Sequence, residues 1–159
     1  MNMIRVSAKK KDITRFYSQV SRWHRLYGLY TIFTKGEQKP KDRVVEIAEI
    51  KKGDIVLEVA FGTGDVIEKI ARKVGEKGGV YGVDVAEGFV DFTRERLAKL
   101  KLSENVNLQV ADATKLPFED SKFDILINCF MMDLIDTSEI PKVLSEFERV
   151  VRPHGKIII

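Results

Sequence analysis

Two glycines and three carboxylates stand out by where they fall in the chain. Val56-Leu57-Glu58-Val59-Ala60-Phe61-Gly62-Thr63-Gly64-Asp65 runs from an apolar strand pattern into a helical one, so Gly62 and Gly64 form the turn between them. Glycine lets a backbone turn sharply and approach a ligand closely, and open α/β sheets bind ligands at the carboxyl ends of their strands. A dinucleotide fingerprint would add a third glycine for close helix packing and would receive a pyrophosphate at the helix start. Here the third position is Ile67, and the carboxylate of Asp65 would oppose a phosphate. Glu58, inside the strand, points the same way, toward a ligand with cationic character. Asp84 closes a second strand, where a carboxylate can accept hydrogen bonds from both hydroxyls of a ribose. Asp112 follows a third strand and is placed to accept from the exocyclic amine of a base. Any one of these acids is also explained as a helix cap or a surface carboxylate. Three at successive strand ends describe one extended site.

The elements that must position them are legible from residue 54 onward. Strands are predicted at Asp54–Ala60, Val80–Asp84, Val106–Val110, Phe123–Asn128 and Lys156–Ile159. Between them, Val66, Ile67, Ile70, Ala71 and Val74 recur at helical spacing, as do Ile140, Val143, Leu144, Phe147 and Val150. A further helix carries Phe89, Val90, Leu97 and Leu100 facing inward. Leu116-Pro117-Phe118-Glu119-Asp120 reads as a loop and Arg152-Pro153-His154-Gly155 as a turn, with His154 exposed. Strands alternating with helices imply an α/β fold, a parallel sheet sandwiched by helices. Upstream, Lys41–Ile50 reads as a helix, and Ile13, Phe16, Tyr17, Val20, Trp23, His24, Tyr27 and Tyr30 recur at helical spacing. The whole chain, 1–159, is expected to be one domain, with residues 1–39 a helical leader or lid and 40–159 the ligand-binding core.

Composition narrows the class. The chain has 159 residues, 44% hydrophobic and 32% charged, with a net charge of +3. That excludes disorder, and the longest apolar run, Cys129-Phe130-Met131-Met132, is far short of the roughly 18 residues of a membrane span. A lone cysteine, Cys129, excludes an internal disulfide and a cysteine-cluster zinc site, and no metal site is expected; a reducing, cytoplasmic location fits. The charge is uneven, since residues 1–52 hold 13 Lys and Arg against 5 Asp and Glu, while residues 53–159 hold 14 against 19. A basic leader can attract an anionic substrate, nucleic acid or a membrane surface, or simply dock on the acidic body.

A ribose, an adenine and an aminoacyl cation together describe S-adenosylmethionine, and the ordered motifs carry a resemblance that agrees. Leu57-Glu58-Val59-Ala60-Phe61-Gly62-Thr63-Gly64, Gly82-Val83-Asp84-Val85-Ala86-Glu87-Gly88-Phe89 and Ala111-Asp112-Ala113-Thr114-Lys115-Leu116-Pro117-Phe118 resemble the first three motifs of the class I S-adenosylmethionine-dependent methyltransferases. Phe123-Asp124 and Val151-Arg152-Pro153-His154-Gly155-Lys156 complete the set, and the Gly-Thr-Gly-Asp turn and Leu-Pro-Phe loop look most like the ubiquinone/menaquinone biosynthesis branch. The resemblance implies a Rossmann-like fold and a methyl transfer to a small organic acceptor such as a quinol or phenol. It implies that Gly62 and Gly64 lie under the methionine moiety, that Ala60 and Thr63 also contact the cofactor, and that Glu58 orders its ammonium group. Asp84 would clamp the ribose, Val85 pack on adenine, Asp112 and Ala113 read adenine, and Asn128 lie near the cofactor methyl group. No catalytic base declares itself; His24, in the leader, and Asp133, just beyond the fourth strand, are the candidates. Asp133 is also explained as a cap for a helix starting near Ser138. Phe16, Tyr17, Trp23, Tyr27, Tyr30 and Phe33 would line a lid over a flat apolar acceptor, or serve as ordinary core.

Absences shape the acceptor. Asn128-Cys129-Phe130-Met131 lacks the Asn/Asp-Pro-Pro-aromatic motif of base-amine methyltransferases, and there is no Pro-Cys nucleophile for cytosine C5. With an acidic body, no strong nucleic-acid signal remains. Two alternatives stay open: a catalytically silent cofactor-binding subunit, and an RNA or protein methyltransferase docking through the basic leader. The fold usually has seven strands, and only five are read here. The fifth is expected to be an open apolar edge, covered by missing C-terminal strands or by a second copy in a homo-oligomer.

Overall fold

The computed structural model describes residues 38–159 and the isolated position 19. Five strands form one parallel sheet: β1 (Ile55–Val59), β2 (Gly79–Asp84), β3 (Val106–Val110), β4 (Phe123–Asn128) and β5 (Val151–Ile158), in the order β3-β2-β1-β4-β5. Chain order runs outward from β1 to β3, then returns to β4 on the other side of β1. That reversal opens a crevice at the carboxyl ends of β1 and β4, where ligands of such sheets bind.

Among the described residues four helices cover the sheet: α1 (Gln38–Ala48), α2 (Asp65–Val74), α3 (Glu87–Lys99) and α4 (Ile140–Val150). The first three pack on one face, where Val45, Ile67, Ile70, Val74, Phe89 and Leu97 meet Val56, Val80, Leu108 and Ile127. The other face takes α4, whose Val143, Phe147 and Val150 meet Leu57, Val59, Phe123 and Leu126. β1 is buried on both faces, so it reads as a continuous apolar run in which Glu58 is the exception. Side chains alternate along a strand, and this puts Glu58 on the α1–α2 face with Val56. Helix α2 starts with Asp65 and Glu68 and ends with Arg72 and Lys73, matching its dipole.

Three expectations are corrected. Arg152-Pro153-His154-Gly155 is not a turn before the last strand but lies within β5, which begins at Val151. Phe123 pairs with Val151 and Ile125 with Lys156, so these residues form an irregularity in the ladder, helped by the left-handed His154 (φ 68°) and by a proline that has no N–H to give. Leu100 does not face inward. It caps α3 and is 40% exposed; the chain turns at Lys101 (φ 56°), and Leu102 packs on the core instead. Helix α1 spans Gln38–Ala48 rather than Lys41–Ile50, ending where Glu49 turns left-handed (φ 51°). Among the described residues the edge strands of the sheet are β3 and β5, and Ile157 and Ile159 at the end of the latter are exposed. Among the described residues no helix is long and apolar enough to cross a membrane. The leader helices and lid, with His24 and the aromatic set, lie outside the described residues.

The loop after β3 is tied down by one side chain. Arg149 of α4 donates to the carbonyls of Leu116 (3.0 Å) and Phe118 (2.7 Å) and pairs with Asp120 and Glu146, while Glu146 accepts from the Leu116 amide (2.6 Å). Arg149→Ala is expected to cost about 1–2 kcal/mol, because two backbone carbonyls lose a charged donor. Thermal melts measure the cost, and hydrogen exchange should show faster opening of residues 112–120 than of α2.

Candidate functional site

A cavity of about 510 Å³ opens at the carboxyl ends of the strands. Its floor is the turn after β1. Ala60 (φ 59°), Gly62 (φ 53°) and Gly64 (φ 75°) are all left-handed, which coils five residues tightly before α2. Side chains from outside hold that turn. Asp84 accepts from the Gly62 amide (2.9 Å) and, through its other oxygen, from the Ala86 amide (2.9 Å). Thr93 of α3 donates to the Gly62 carbonyl (3.2 Å), and Arg96, one turn later, to the Thr63 carbonyl (3.0 Å).

The two glycines serve different ends. A Cβ on Gly62 would meet nothing within 4 Å, so the space beside that stretch of cavity wall is free for a ligand. A Cβ on Gly64 would lie 2.3 Å from Thr93 Cγ2. Gly64 does not reach the cavity wall; it lets α3 pack against the turn.

The carboxylates also separate. Asp65 lines the cavity but its charge is already matched, by Lys41 of α1 (2.8 Å) and by Arg96 (2.6 Å). Burial works against its ionisation, yet the bonds and charges of Lys41 and Arg96 outweigh that and hold its carboxyl at about 2. The expectation that Asp65 adds negative character for a ligand is thereby corrected. Glu58 is different. It is 2% exposed, and burial pushes its carboxyl well above the usual range against the pull of Lys41; Asp65 and Asp84 raise it further. Its Oε2 has no hydrogen-bond partner. Asp84 is raised by burial too, opposed by the amides of Ala86, Gly62 and Val85. Its two oxygens thus accept three amides, and a carboxylate has about four lone-pair sites, so capacity remains for a hydroxyl donor.

Val85, Asp112, Ala113 and Thr114 form the next stretch of wall, with Asp112 Oδ1 accepting from the Thr114 amide (2.9 Å) and hydroxyl (2.8 Å). Ala60 and Thr63 line the cavity as well. Asn128 does not reach the wall. It is buried behind it, donating to the Val59 carbonyl (2.9 Å) and so joining the ends of β1 and β4, while its Oδ1 has no partner. Beyond β4 the wall turns apolar with Phe130, Met131, Leu134 and Ile135, and α4 adds Val143. Phe130 is left-handed (φ 63°) and 58% exposed, an uncommon conformation for a bulky residue. Asp133 is exposed on this stretch and is not a helix cap: α4 starts at Ile140 without a side-chain cap, and the turn before it is closed by Asp136, which accepts from the Ser138 amide and hydroxyl. Cys129 lines the cavity with its thiol pushed to about 11, by burial and then by the charge of Glu58, which disfavours the thiolate at neutral pH.

A profile of the methyltransferase domain family matches residues 56–155, well over half of the chain and the whole span from the glycine turn to the irregular β5. The chain belongs to the S-adenosylmethionine-dependent methyltransferase family. Among its relatives in that family, the demethylmenaquinone methyltransferase of Symbiobacterium thermophilum is 34% identical over 140 residues, covering 88% of this chain and 48% of the relative. The ubiquinone/menaquinone biosynthesis C-methyltransferase of Azotobacter vinelandii is 33% identical over 115 residues, covering 72% and 45%. The chain thus spans about half the length of the curated relatives it matches. A solved S-adenosylmethionine-dependent methyltransferase from Aquifex aeolicus is 32% identical and superimposes with a TM-score of 0.63 over 71% of this chain and 58% of that one. The [4+2]-cyclase SpnF shares the fold at a TM-score of 0.68 and 26% identity, over 76% of this chain and 43% of that one.

Sequence reasoning had not singled out Lys41, Thr93, Arg96 or Phe130 as site residues. Phe130 was visible as part of the longest apolar run. The other three act on the turn through helix packing, which no local pattern records.

Proposed function

We propose that this chain binds S-adenosylmethionine in the cavity and serves the transfer of its methyl group to a small apolar acceptor of the quinol or phenol type. The observation that carries the reading is Glu58: a buried carboxylate oxygen without a partner, beside a glycine with open space at its Cβ position. The Ile67 amide bonds the group, but ionising it with the second oxygen unpartnered is costly, and a ligand ammonium is the group that would relieve that cost. Gly62, with Ala60 and Thr63, would run beneath the methionine chain. Asp84 would face the ribose hydroxyls, its carboxylate already aimed by three amides, and Val85, Asp112 and Ala113 would bound the adenine. When bound, the cofactor supplies a methyl group activated on a positively charged sulfur. The protein's own task is then to hold the acceptor in line and exclude water. Phe130, Met131, Leu134 and Ile135 suit a flat apolar acceptor, and Asp133 is the carboxylate on that stretch available to take a proton from a hydroxyl. The quinone-pathway relatives favour the same acceptor class.

The similarity to a cyclase favours a second reading, a cofactor-binding unit whose chemistry is not methyl transfer. Calorimetry with S-adenosylmethionine and S-adenosylhomocysteine is the first test, followed by the same titrations with Asp84→Ala. Wild type should bind both, and the variant about 10–100-fold more weakly, since a charged acceptor is lost. Turnover on a panel of quinols and phenols separates the readings: binding without any turnover favours the cyclase-like unit, and no binding by wild type overturns both.

A further inference from the structure

We propose that Phe130 is the specificity-determining residue of the acceptor half of the cavity, a platform on which the face of a planar aromatic acceptor stacks, so that the site takes an aromatic ring over a saturated one of the same size. The inference deepens the acceptor reading above and rests on it. Side chains alternate along a strand, and β4 obeys this: Ile125 and Ile127 enter the core under α1, α2 and α3, and Leu126 enters the core under α4. Cys129 continues the series on the first of these faces. Had the chain stayed extended, position 130 would fall on the α4 face and Met131 on the opposite one. The structure reverses this. Met131, 9% exposed, packs in the α4 core, and Phe130 belongs to neither core.

The left-handed backbone of Phe130 (φ 63°) is the cause, because one residue in that conformation breaks the alternation and turns the next to the face it would otherwise miss. Glycine adopts this conformation freely, whereas a side chain there costs stability, and such strain collects at functional sites. The chain is anchored on both sides. Asn128 donates to the Val59 carbonyl (2.9 Å), and the Met131 carbonyl accepts from the Leu134 amide (2.9 Å). Phe130 is held out between these two points, 58% exposed, and is the only exposed aromatic residue among those described. Strain and exposed apolar area are two costs at one residue, and no core packing among the described residues offsets either. Phe130 lines the cavity beside Met131, Leu134 and Ile135. A ligand ring laid on it would cover the exposed face, and stacked or edge-to-face aromatic pairs gain more than buried area alone supplies. Leu134 and Ile135 would serve a saturated ring equally well, so Phe130 is the member of this stretch that tells the two apart.

Two probes of matched size test this, β-naphthol and decahydro-β-naphthol, titrated by ligand-observed NMR into the chain saturated with S-adenosylhomocysteine. Wild type should prefer the aromatic probe by about three- to tenfold. Phe130→Leu keeps apolar bulk without a ring. It should lose about that factor for β-naphthol and change by no more than about twofold for the saturated probe, erasing the preference. Phe130→Tyr should keep it. Phe130→Gly, which relieves the backbone, should melt no lower than wild type and should also show no preference. A markedly lower melting temperature for the glycine variant would mean that the chain itself covers the ring, and overturns the proposal. Equal weakening of both probes by Phe130→Leu would make the ring a plain apolar wall and overturns it too. Probes bound by wild type without preference overturn this inference alone. Wild type that binds S-adenosylhomocysteine but neither probe overturns the acceptor reading and this inference with it.

Discussion

Glu58→Gln is expected to weaken cofactor binding at least about 100-fold and to flatten the fall of free-protein stability with rising pH. Both effects come from one carboxylate. Glu58 is 2% exposed, and burial raises its carboxyl well above the ordinary glutamate value of about 4.3. The folded protein therefore holds this proton more tightly than the unfolded chain does. Its contribution is fully present below the unfolded value and is lost as pH rises through the folded one. Glutamine has no proton to lose, so the variant should not show that decline, whatever constant offset its amide introduces. Ligand binding runs the other way. The ammonium of the cofactor needs the ionised carboxylate, so wild-type affinity should rise with pH, by up to about tenfold per unit, until the carboxyl of the free protein has titrated. Proton release on binding, measured in buffers of different ionisation enthalpy between pH 5.5 and 7.5, is the direct check. Glu58→Gln should bind at least about 100-fold more weakly and release no proton, because a buried charge pair loses one partner. Wild-type affinity that is flat with pH, together with tight binding by the variant, would remove Glu58 from the ammonium subsite.

Glu58 was also the most legible residue of the site, and the reason is physical. Strand β1 is covered on both faces, so its other residues had to be apolar and one acid among them was conspicuous. Asp84 and Asp112 were legible for a related reason, since one closes and the other follows a strand whose end the pattern of apolar residues marks. What local pattern could not carry was charge compensation across elements. Asp65 read as a free carboxylate because Lys41 and Arg96 reach it from α1 and α3, and only the packing of those helices on the turn brings them there. Asn128 read as a cavity residue from its place at the end of β4, but its amide is spent on the Val59 carbonyl of the neighbouring strand. Proline and glycine near residue 153 signalled a break in the ladder. Whether a break ends a strand or kinks it depends on the partner strand, and here Ile125 resumes pairing at Lys156. The fold was legible because each strand and helix follows from its own periodicity, whereas the site depends on contacts between them.

The same distinction predicts opposite behaviour for the two glycines of the turn. Gly64→Ala should be strongly destabilising. Its φ of 75° disfavours any Cβ, at about 1–2 kcal/mol, and the added carbon would lie 2.3 Å from Thr93 Cγ2 and 2.8 Å from its hydroxyl. Thr93 is fully buried, so relief requires α3 to move, which adds about 1–3 kcal/mol. A loss of about 2–5 kcal/mol is expected by chemical denaturation. Gly62→Ala bears a similar backbone cost at φ 53° but no collision, since nothing lies within 4 Å of its Cβ position. It should fold with a loss of about 1–2 kcal/mol and yet bind cofactor about 10–100-fold more weakly, because the methyl group takes up space the ligand needs. Thr93→Ala provides the control. Alone it is destabilising, through the lost bond to the Gly62 carbonyl and lost packing, but combined with Gly64→Ala it removes the two closest atoms of the collision. The double variant should therefore be more stable than the sum of the single effects by about 1 kcal/mol or more. Additive losses would mean that backbone strain alone reserves position 64 for glycine. Equal losses of stability for the two alanine variants would mean that the gap at Gly62 closes in solution, and with it the space assigned to the methionine chain.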